Sequence, residues 1–335
     1  MTDGLVSLQD IRDAAARIRP IARITPLLEV TDVPADAAAP GPLFLKCENL
    51  QRSGAFKIRG AVNMMLRLPE ADRRRGVVTF SSGSHGIALS LAARLLGVPA
   101  VVVMPTTAPA VKVGTARRLG AEIVFEGTTT LQRKIRTEAL ASERGLTIVP
   151  PFDHEWIVAG QGTIGLEIAA ECPQARTVYV PASGGGMIAG VATAIKHLLP
   201  GTRVVGVEPQ GAARMTASLR AGHPVTLDSV SGLADGLLAV RPGDVTFRHI
   251  MAHVDHIVTV DDESIARAVR WLFEYAKLVV EPSGAATVAA ILTRQAPAWS
   301  RGGAGALNEA AGGPAVAVLS GGSVDAAAYA RYITT

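Results

Sequence analysis

Short runs of β-branched residues alternate along the chain with longer segments rich in alanine and leucine. Apolar runs of this length are typical of buried strands, whereas the longer segments are typical of helices. The pattern predicts strands at residues 77–80, 100–104, 121–125, 147–149, 177–181, 203–207, 256–260 and 315–319. It predicts helices at residues 87–96, 111–119, 131–144, 162–171, 187–198 and 262–276.

This alternation predicts an α/β fold. Strands that alternate with helices indicate βαβ units, in which parallel sheets carry helices on both faces. Such sheets bind ligands at the loops that follow the carboxyl ends of their strands. Two segments rich in alanine, glycine and proline, residues 34–42 and 301–314, are predicted to be surface loops. At 335 residues the chain is long enough for two domains.

Composition narrows the class of protein. Hydrophobic residues make up 48% of the chain and aromatic residues only 4%, so aliphatic side chains must fill the core. No run of about 18 uncharged apolar residues is present, and the N-terminal segment lacks the apolar stretch of a signal peptide. The two cysteines, Cys47 and Cys172, do not suggest a disulfide framework. We therefore expect a cytoplasmic protein without a membrane span.

The charge pattern gives little support for nucleic-acid binding. The net charge of +4 is dispersed, apart from the run Arg73, Arg74 and Arg75. No recognition motif and no interleaving of basic with aromatic residues is found. A mild positive excess is compatible with a small anionic ligand. We expect a small-molecule ligand and no nucleic-acid partner.

A glycine-rich loop lies between a predicted strand and a predicted helix. Its residues are Ser183, Gly184, Gly185, Gly186 and Met187. Glycines allow the backbone to approach an anion closely, and a helix N-terminus supplies free amide groups. The pattern also fits a loose dinucleotide-binding fingerprint, with Glu208 at the position of the ribose-binding acid. A cofactor phosphate site, a nicotinamide oxidoreductase and a packing loop without ligand all remain open on this loop alone.

A lysine segment near the N-terminus is more specific. Residues 46–61 read KCENLQRSGAFKIRGA, and this segment resembles the Schiff-base segment of fold-type II pyridoxal-phosphate enzymes. The resemblance is nearest to the threonine/serine dehydratase and serine racemase family. Further segments match in order: SSGSHG at 81–86, AGQGTIG at 159–165, the glycine loop and EPSGA at 281–285. The resemblance spans nearly the whole chain and implies a tryptophan synthase β-like fold, with two open parallel-sheet domains and the active site between them.

The resemblance assigns roles around the cofactor, pyridoxal 5'-phosphate. Lys57 forms the Schiff base and moves protons during catalysis. Residues 183–187 cradle the phosphate, and Phe56 packs on the pyridine ring. Ser320 faces the pyridine nitrogen, and Glu281 is an acid near the cofactor. Two other interpretations remain open: Ser320 caps a helix ahead of Asp325, and Glu281 caps the helix after Pro282.

The segment at 81–86 resembles the loop that grips the substrate carboxylate. The substrate-binding residues implied are Ser81, Ser82, Gly83, Ser84 and His85. Ser84 stands where the family usually has an asparagine that donates to the cofactor's phenolic oxygen. Ser82 matches a catalytic serine that reprotonates the substrate in racemases, where dehydratases often have alanine. His85 is either structural or carboxylate-binding.

The resemblance implies a large domain of residues 1–53 and 154–335, with a small domain of residues 54–153 inserted in it. The expected activity is β-elimination from an L-β-hydroxy amino acid such as threonine or serine, which yields a 2-oxo acid and ammonia. The segment at 150–154, PPFDH, matches the dehydratase form. A racemase is the alternative within the family, and a nicotinamide oxidoreductase is a remote one. A homodimer is expected, without a separate regulatory domain after the Ser320 segment.

No metal site is expected. Serine racemases of this family bind a divalent cation through an acid at a strand end, a carbonyl four residues later and a second acid two residues beyond. The corresponding positions here are Glu208, Ala212 and Arg214. An arginine in place of the second acid opposes binding, since a hard cation needs oxygen ligands. Two arrangements remain open for Arg214: a bidentate pair with Glu208 near the position of the missing cation, or a side chain that points to solvent.

Overall fold

The computed structural model describes residues 4–81, 83–302 and 313–334. Within these residues, a larger sheet has seven strands in the order β1-β2-β11-β7-β8-β9-β10. The five inner strands are parallel, and β1 and β10 pair antiparallel at the two edges. In spatial order the strands are β1 Leu27–Glu29, β2 Leu43–Lys46, β11 Ala315–Val318, β7 Thr177–Pro181, β8 Arg203–Pro209, β9 His256–Val260 and β10 Pro297–Ser300.

A smaller sheet is wholly parallel. Its four described strands follow the order β5-β4-β3-β6. The strands are β5 Glu122–Phe125, β4 Ala100–Met104, β3 Val77–Phe80 and β6 Thr147–Ile148. All five residues of β4 are buried, as are all five of β7 in the larger sheet. Strands buried on both faces explain why these runs are apolar without alternation.

Helices cover the faces of both sheets. They are α1 Leu8–Ile18, α2 Lys57–Arg67, α3 Glu70–Arg75, α4 Ser84–Leu96, α5 Ala110–Arg118, α6 Thr130–Arg144, α7 Glu155–Glu171, α8 Gly186–Leu198, α9 Arg214–Ala221, α10 Asp244–His253, α11 Asp262–Glu274, α12 Pro282–Leu292 and α13 Ala326–Thr334. Short 3-10 turns lie at Glu48–Leu50, Arg52–Gly54, Gln210–Ala212 and Asp235–Leu237. None of the helices in the described part of the chain is both long and apolar enough to cross a membrane.

The predicted parallel α/β fold is confirmed. Four predicted strands have the observed bounds, and the other four differ by one or two residues at an end. Residues 34–42 form turns and irregular backbone, as predicted. Most of the second predicted loop, residues 303–312, lies outside the described residues.

The helix predicted at 162–171 is longer than the sequence indicated. It begins at Glu155, where His154 caps it by accepting a hydrogen bond from the Trp156 amide at 3.0 Å. The glycines at 160 and 162 weaken a helical pattern in sequence, yet they lie inside α7. A Cβ at Gly160 would lie 2.7 Å from the Cα of Gly60 in α2, so only glycine permits this approach.

Buried ion pairs support the same contact between α2 and α7. Arg59 of α2 donates to both oxygens of Glu48 at 2.8 Å and to Glu167 of α7 at 2.6 Å. Lys46 lies 2.9 Å from Glu167, so each positive charge faces a carboxylate. Arg59, Glu48 and Lys46 are almost fully buried, and a buried charge is tolerated only when it is paired in this way. The network fixes α2, whose first residue is Lys57.

We predict that Gly160→Ala destabilises the protein by about 1–3 kcal/mol, as overpacked cores do. The new methyl group would press on the backbone of Gly60 and Arg59, which cannot rotate away. The free energy of unfolding in urea measures the loss. Gly201→Ala is the matched control, because a Cβ at Gly201 has open space around it. Equal stability of the two variants would show that α2 and α7 are not held by this approach.

Candidate active site

Lys57 is the first residue of α2, and its amine points toward the segment between β6 and α7. The Nζ atom donates to the carbonyl of Pro151 at 2.8 Å and lies 5.0 Å from the centroid of the Phe56 ring. Desolvation by the surrounding protein lowers the pKa of Lys57 from 10.5 to about 8. A usable fraction of this amine is therefore neutral near physiological pH, as nucleophilic attack on an aldehyde requires.

The glycine loop packs against the same segment that binds the Lys57 amine. A Cβ at Gly184 would clash with the ring of Phe152, the neighbour of Pro151. Gly185 adopts φ 102°, a left-handed conformation that favours glycine. A Cβ there would also lie 2.7 Å from the hydroxyl oxygen of Thr246. Both glycines are therefore required by the backbone path that enters α8.

The loop presents free amide groups. Among the described residues, the backbone amides of Ser183, Gly184, Gly185 and Gly186 have no hydrogen-bond acceptor. The three glycines are buried, and an unpaired buried amide costs about 1–3 kcal/mol. Four such amides at the N-terminus of α8 form a cradle suited to a phosphate group.

Ser320 follows β11 and runs beside the Lys57 segment. Its carbonyl accepts from the Phe56 amide at 3.1 Å, and the adjoining Gly321 pairs with Ala55. The Ser320 hydroxyl makes no hydrogen bond to any described residue, so it is available to a ligand. The alternative that Ser320 caps a helix is wrong, because Asp325 accepts from the first amides of α13.

Glu281 precedes α12, but its side chain does not cap that helix. The carboxyl group lies against Gly321, since a Cβ there would be 2.5 Å from Oε1 of Glu281. Burial, together with the nearby Asp235, raises the pKa of Glu281 to about 8. Glu281 is therefore mostly protonated at neutral pH and can donate a hydrogen bond near the Ser320 hydroxyl.

The loop at 81–86 connects β3 to α4. Ser81 accepts from the Gly83 amide at 3.1 Å, and Ser84 begins the helix with a side chain that bonds to no described residue. Ser82 lies outside the described residues. Nε2 of His85 is 3.1 Å from the Val149 carbonyl, while its Nδ1 is buried and has no partner in the described structure.

The charge of His85 bears on its two possible roles. Desolvation, with a contribution from Lys57, lowers the pKa of His85 to about 3. The ring is therefore neutral, and Nε2 carries the proton that it donates to Val149. A neutral ring held by the backbone gives no ionic attraction to a carboxylate. This favours the structural role for His85, with one nitrogen free to accept a hydrogen bond.

A charged pair that sequence patterns did not indicate lies beside this loop. Lys112 of α5 pairs with Asp235 at 2.9 Å. A Cβ on Gly83 would lie 3.6 Å from the Lys112 amine, which places this amine over the loop. A single lysine on an amphipathic helix carries no sequence signal, because only the tertiary structure brings it to the loop. The Pro151 carbonyl was missed for the same reason.

Arg214 is fully buried, so the alternative that it points to solvent is wrong. Its Nη1 lies 3.9 Å from Oε2 of Glu208, a single loose ion pair rather than the expected bidentate one. Nη1 itself donates to the main-chain carbonyl of Ala212, and the other two nitrogens donate to those of Ser183 and Ala182. Glu208 is occupied as well, since it accepts from the amides of Met215 and Thr216 at 2.9 and 2.8 Å.

These bonds bear on two earlier hypotheses. A fully buried Glu208 that accepts from two helix amides is not available to bind a ribose. The nicotinamide hypothesis therefore loses the acid on which it depended. The described residues also contain no group of three or more histidine, cysteine, aspartate or glutamate side chains that could hold a metal ion.

Comparison with known proteins identifies the family. The model of the family described as pyridoxal-phosphate dependent enzyme matches residues 18–306. The chain belongs to this family. The resemblance to fold-type II enzymes and the cofactor, pyridoxal 5'-phosphate, are thereby confirmed, and the nicotinamide hypothesis is abandoned.

Relatives within the family include both racemases and ammonia-lyases. A serine racemase from Oryza sativa subsp. indica is 42% identical over 295 residues, covering 87% of this chain and 86% of that protein. An L-threonine ammonia-lyase from Thermotoga maritima is 38% identical over 321 residues, covering 96% of this chain and 76% of that protein. The solved structure of maize serine racemase has a TM-score of 0.89 at 37% identity, and the match covers 97% of this chain and 96% of that one.

The residues of this site fit the cofactor of the family. Lys57 offers an amine of lowered pKa, and the glycine loop offers buried amides without acceptors. The Ser320 hydroxyl, which bonds to no described residue, and the Phe56 ring lie on two neighbouring segments, since the Phe56 amide donates to the Ser320 carbonyl. These are an imine-forming group, a phosphate cradle, a polar partner and an aromatic face, which are the binding elements that pyridoxal phosphate requires.

We predict that the apo-protein incorporates pyridoxal phosphate at a rate that rises about tenfold per pH unit below pH 8 and levels off above it. Lys57 must lose its proton before it attacks the aldehyde, and burial places that step near pH 8. Absorbance of the yellow product measures the rate. Borohydride reduction and peptide mapping should find the cofactor on Lys57, and Lys57→Ala should incorporate none. A rate that keeps rising to pH 10.5 would indicate an exposed lysine instead.

Proposed function

We propose that the protein is an ammonia-lyase that removes water and ammonia from an L-β-hydroxy amino acid such as threonine or serine. The observation that carries this proposal is the unpartnered hydroxyl of Ser320 beside Phe56. A neutral hydroxyl cannot hold the cofactor's ring nitrogen protonated as a carboxylate would. The cofactor is then a weaker electron sink, which suits elimination because the carbanion need not persist.

The cofactor-binding roles follow from the site geometry. We assign Lys57 to the imine, Phe56 to the ring face and Ser320 to the ring nitrogen. Glu281, mostly protonated at neutral pH, is assigned a place near the cofactor. The phosphate is assigned to the cradle formed by Ser183, Gly184, Gly185, Gly186 and Met187.

The substrate-binding roles belong to the loop between β3 and α4. We assign Ser81, Ser82, Gly83 and Ser84 to the substrate carboxylate, which the N-terminus of α4 also favours. Ser84 can donate from its hydroxyl in place of the usual asparagine, and no described residue competes for it. His85 is assigned to hold the loop against Val149.

The reaction uses few protein groups. Bound pyridoxal phosphate withdraws electrons from the substrate Cα and so acidifies its proton. Lys57, released from its covalent role, takes that proton while the Pro151 carbonyl orients its amine. The β-hydroxyl would leave as water with a proton supplied through the phosphate group that residues 183–187 would hold, as the family resemblance implies. The released enamine then hydrolyses to a 2-oxo acid and ammonia.

A racemase remains the second candidate, and a specific residue favours it. Ser82 can return a proton to the face of the substrate opposite Lys57, which elimination does not need. Relatives of both kinds are comparably similar to this chain. The segment at 150–154 supports the lyase, since it matches the dehydratase form and supplies the carbonyl that holds Lys57.

We further propose that the chain forms two domains, a large one of residues 1–53 and 154–335 and a small one of residues 54–153. It is supported by the two sheets, since the strands of the smaller one all fall between Val77 and Ile148. The proposed homodimer and cytoplasmic location rest on the family resemblance and on the sequence composition. Both described cysteines are free and buried, in keeping with that location.

We expect elimination to outpace racemisation on L-serine or L-threonine. Incubation in deuterated water, with assay of 2-oxo acid and chiral separation of the remaining amino acid, measures both rates. A panel that includes 3-hydroxyaspartate and bulkier 3-hydroxy amino acids identifies the preferred substrate. The Ser82→Ala substitution should lower the rate at which deuterated D-enantiomer forms far more than the rate at which 2-oxo acid forms. Mostly D-enantiomer with little 2-oxo acid from the wild type would reverse the ranking in favour of the racemase.

We also expect the activity to be indifferent to chelators. The Arg214 guanidinium lies at the Ala212 carbonyl and near Glu208, where its positive charge opposes a divalent cation. The measurement is the rate of 2-oxo acid formation before and after dialysis against a chelator. Loss of activity that magnesium or calcium restores would contradict this expectation.

A further inference from the structure

The guanidinium of Arg214 lies directly behind the glycine loop. Its Nε donates to the Ser183 carbonyl at 3.2 Å, and its Nη2 donates to the carbonyl of Ala182. Nη1 donates to the carbonyl of Ala212, in the turn before α9. One side chain therefore ties the residue after β7 and the start of the loop to the turn between β8 and α9.

These bonds decide where the loop's amides point. In a planar trans peptide, the carbonyl of one residue and the amide of the next point in opposite directions. Because Arg214 holds the carbonyls of Ala182 and Ser183 on its side, the amides of Ser183 and Gly184 are turned away from it. These are two of the amides that have no acceptor among the described residues.

The next peptide is fixed in the same way by another residue. The carbonyl of Gly184 accepts from the Thr246 hydroxyl at 2.7 Å and from the Gly243 amide at 3.1 Å. The amide of Gly185 is therefore turned away from Thr246. The carbonyls of Ala182, Ser183 and Gly184 are thus each bound by another part of the fold, so the three amides that follow them are oriented before any ligand arrives.

An arginine is suited to this position for two reasons. Three carbonyl oxygens converge on it, and the planar guanidinium has five donors in a fixed fork, which no neutral side chain offers. Its buried charge is balanced by Glu208, which in turn is held by two amides of α9. The pair thus anchors the loop to the first turn of α9 rather than to a flexible segment.

We propose that Arg214 is a positioning residue that orients the backbone amides of the glycine loop for the phosphate of the cofactor. The inference rests on the proposed assignment of residues 183–187 to that phosphate. Arg214 makes no contact with the reacting atoms and acts only through the Ala182 and Ser183 carbonyls. Its loss should therefore weaken recognition of the phosphate without altering the imine-forming lysine.

The test compares two aldehydes that differ only in the phosphate. The apo-forms of the wild type and of Arg214→Met are titrated with pyridoxal phosphate and with pyridoxal, and dissociation constants are read from absorbance. We expect Arg214→Met to raise the dissociation constant of pyridoxal phosphate by about tenfold or more and that of pyridoxal by less than about twofold. Arg214→Lys, which keeps the charge but not the fork, should restore only part of the loss.

Two further variants complete the experiment. Arg220→Met is the matched control, because Arg220 lies at the exposed end of α9 and, among the described residues, donates to the Ala298 carbonyl alone. This variant should bind both aldehydes as the wild type does. Thr246→Val removes the hydrogen bond to the Gly184 carbonyl. It should also weaken the binding of pyridoxal phosphate more than the binding of pyridoxal. This variant provides the same test through a different residue if Arg214→Met does not fold.

The outcomes separate the inference from the proposed site. A wild type that binds pyridoxal as tightly as pyridoxal phosphate would overturn the phosphate cradle, and the inference with it. A wild type that prefers pyridoxal phosphate, with the same preference in Arg214→Met, would overturn the role of Arg214 alone. If Arg214→Met binds both aldehydes more weakly to the same degree, the role of Arg214 is also overturned, since loss of a merely structural residue would weaken both equally.

Discussion

The close approach of α2 and α7 is the contact on which the site depends. Gly60 and Gly160 bring the two backbones together, and Arg59 binds a carboxylate on each side of that contact. Lys57 begins α2, so its amine is placed by this packing rather than by its own loop. The Pro151 carbonyl that holds the amine precedes α7. One helix pair therefore positions the lysine and its hydrogen-bond acceptor together.

A second constraint acts on the glycine loop, the proposed phosphate cradle. Buried amides without partners are unfavourable, and the glycine loop tolerates them because its carbonyls are bound by Arg214 and Thr246. The loop cannot turn to satisfy its own amides without breaking those bonds. Binding sites of this kind are oriented in advance, which lowers the entropy lost when the ligand binds.

Burial also sets the charges of the site. It lowers the pKa of Lys57, raises that of Glu281 and keeps His85 neutral. Near neutral pH the site therefore holds an amine that readily loses its proton, a protonated carboxyl group and an uncharged imidazole. Proton transfer to and from Lys57 is then possible without a strong competing charge beside it.

The sequence by itself determined the parallel α/β fold and the family, and it pointed to Lys57 as the candidate Schiff-base lysine. Short apolar runs separated by longer segments rich in alanine and leucine can be recognised without tertiary information, and the lysine segment matches the family specifically. The tertiary structure decided which carbonyls hold Lys57 and the glycine loop, where α7 begins and where Lys112 and Arg214 lie. Every residue has a main-chain carbonyl, so the sequence does not show which carbonyls bind a side chain. It also does not show whether a given arginine is buried or exposed. Their roles arise only when distant segments are packed together.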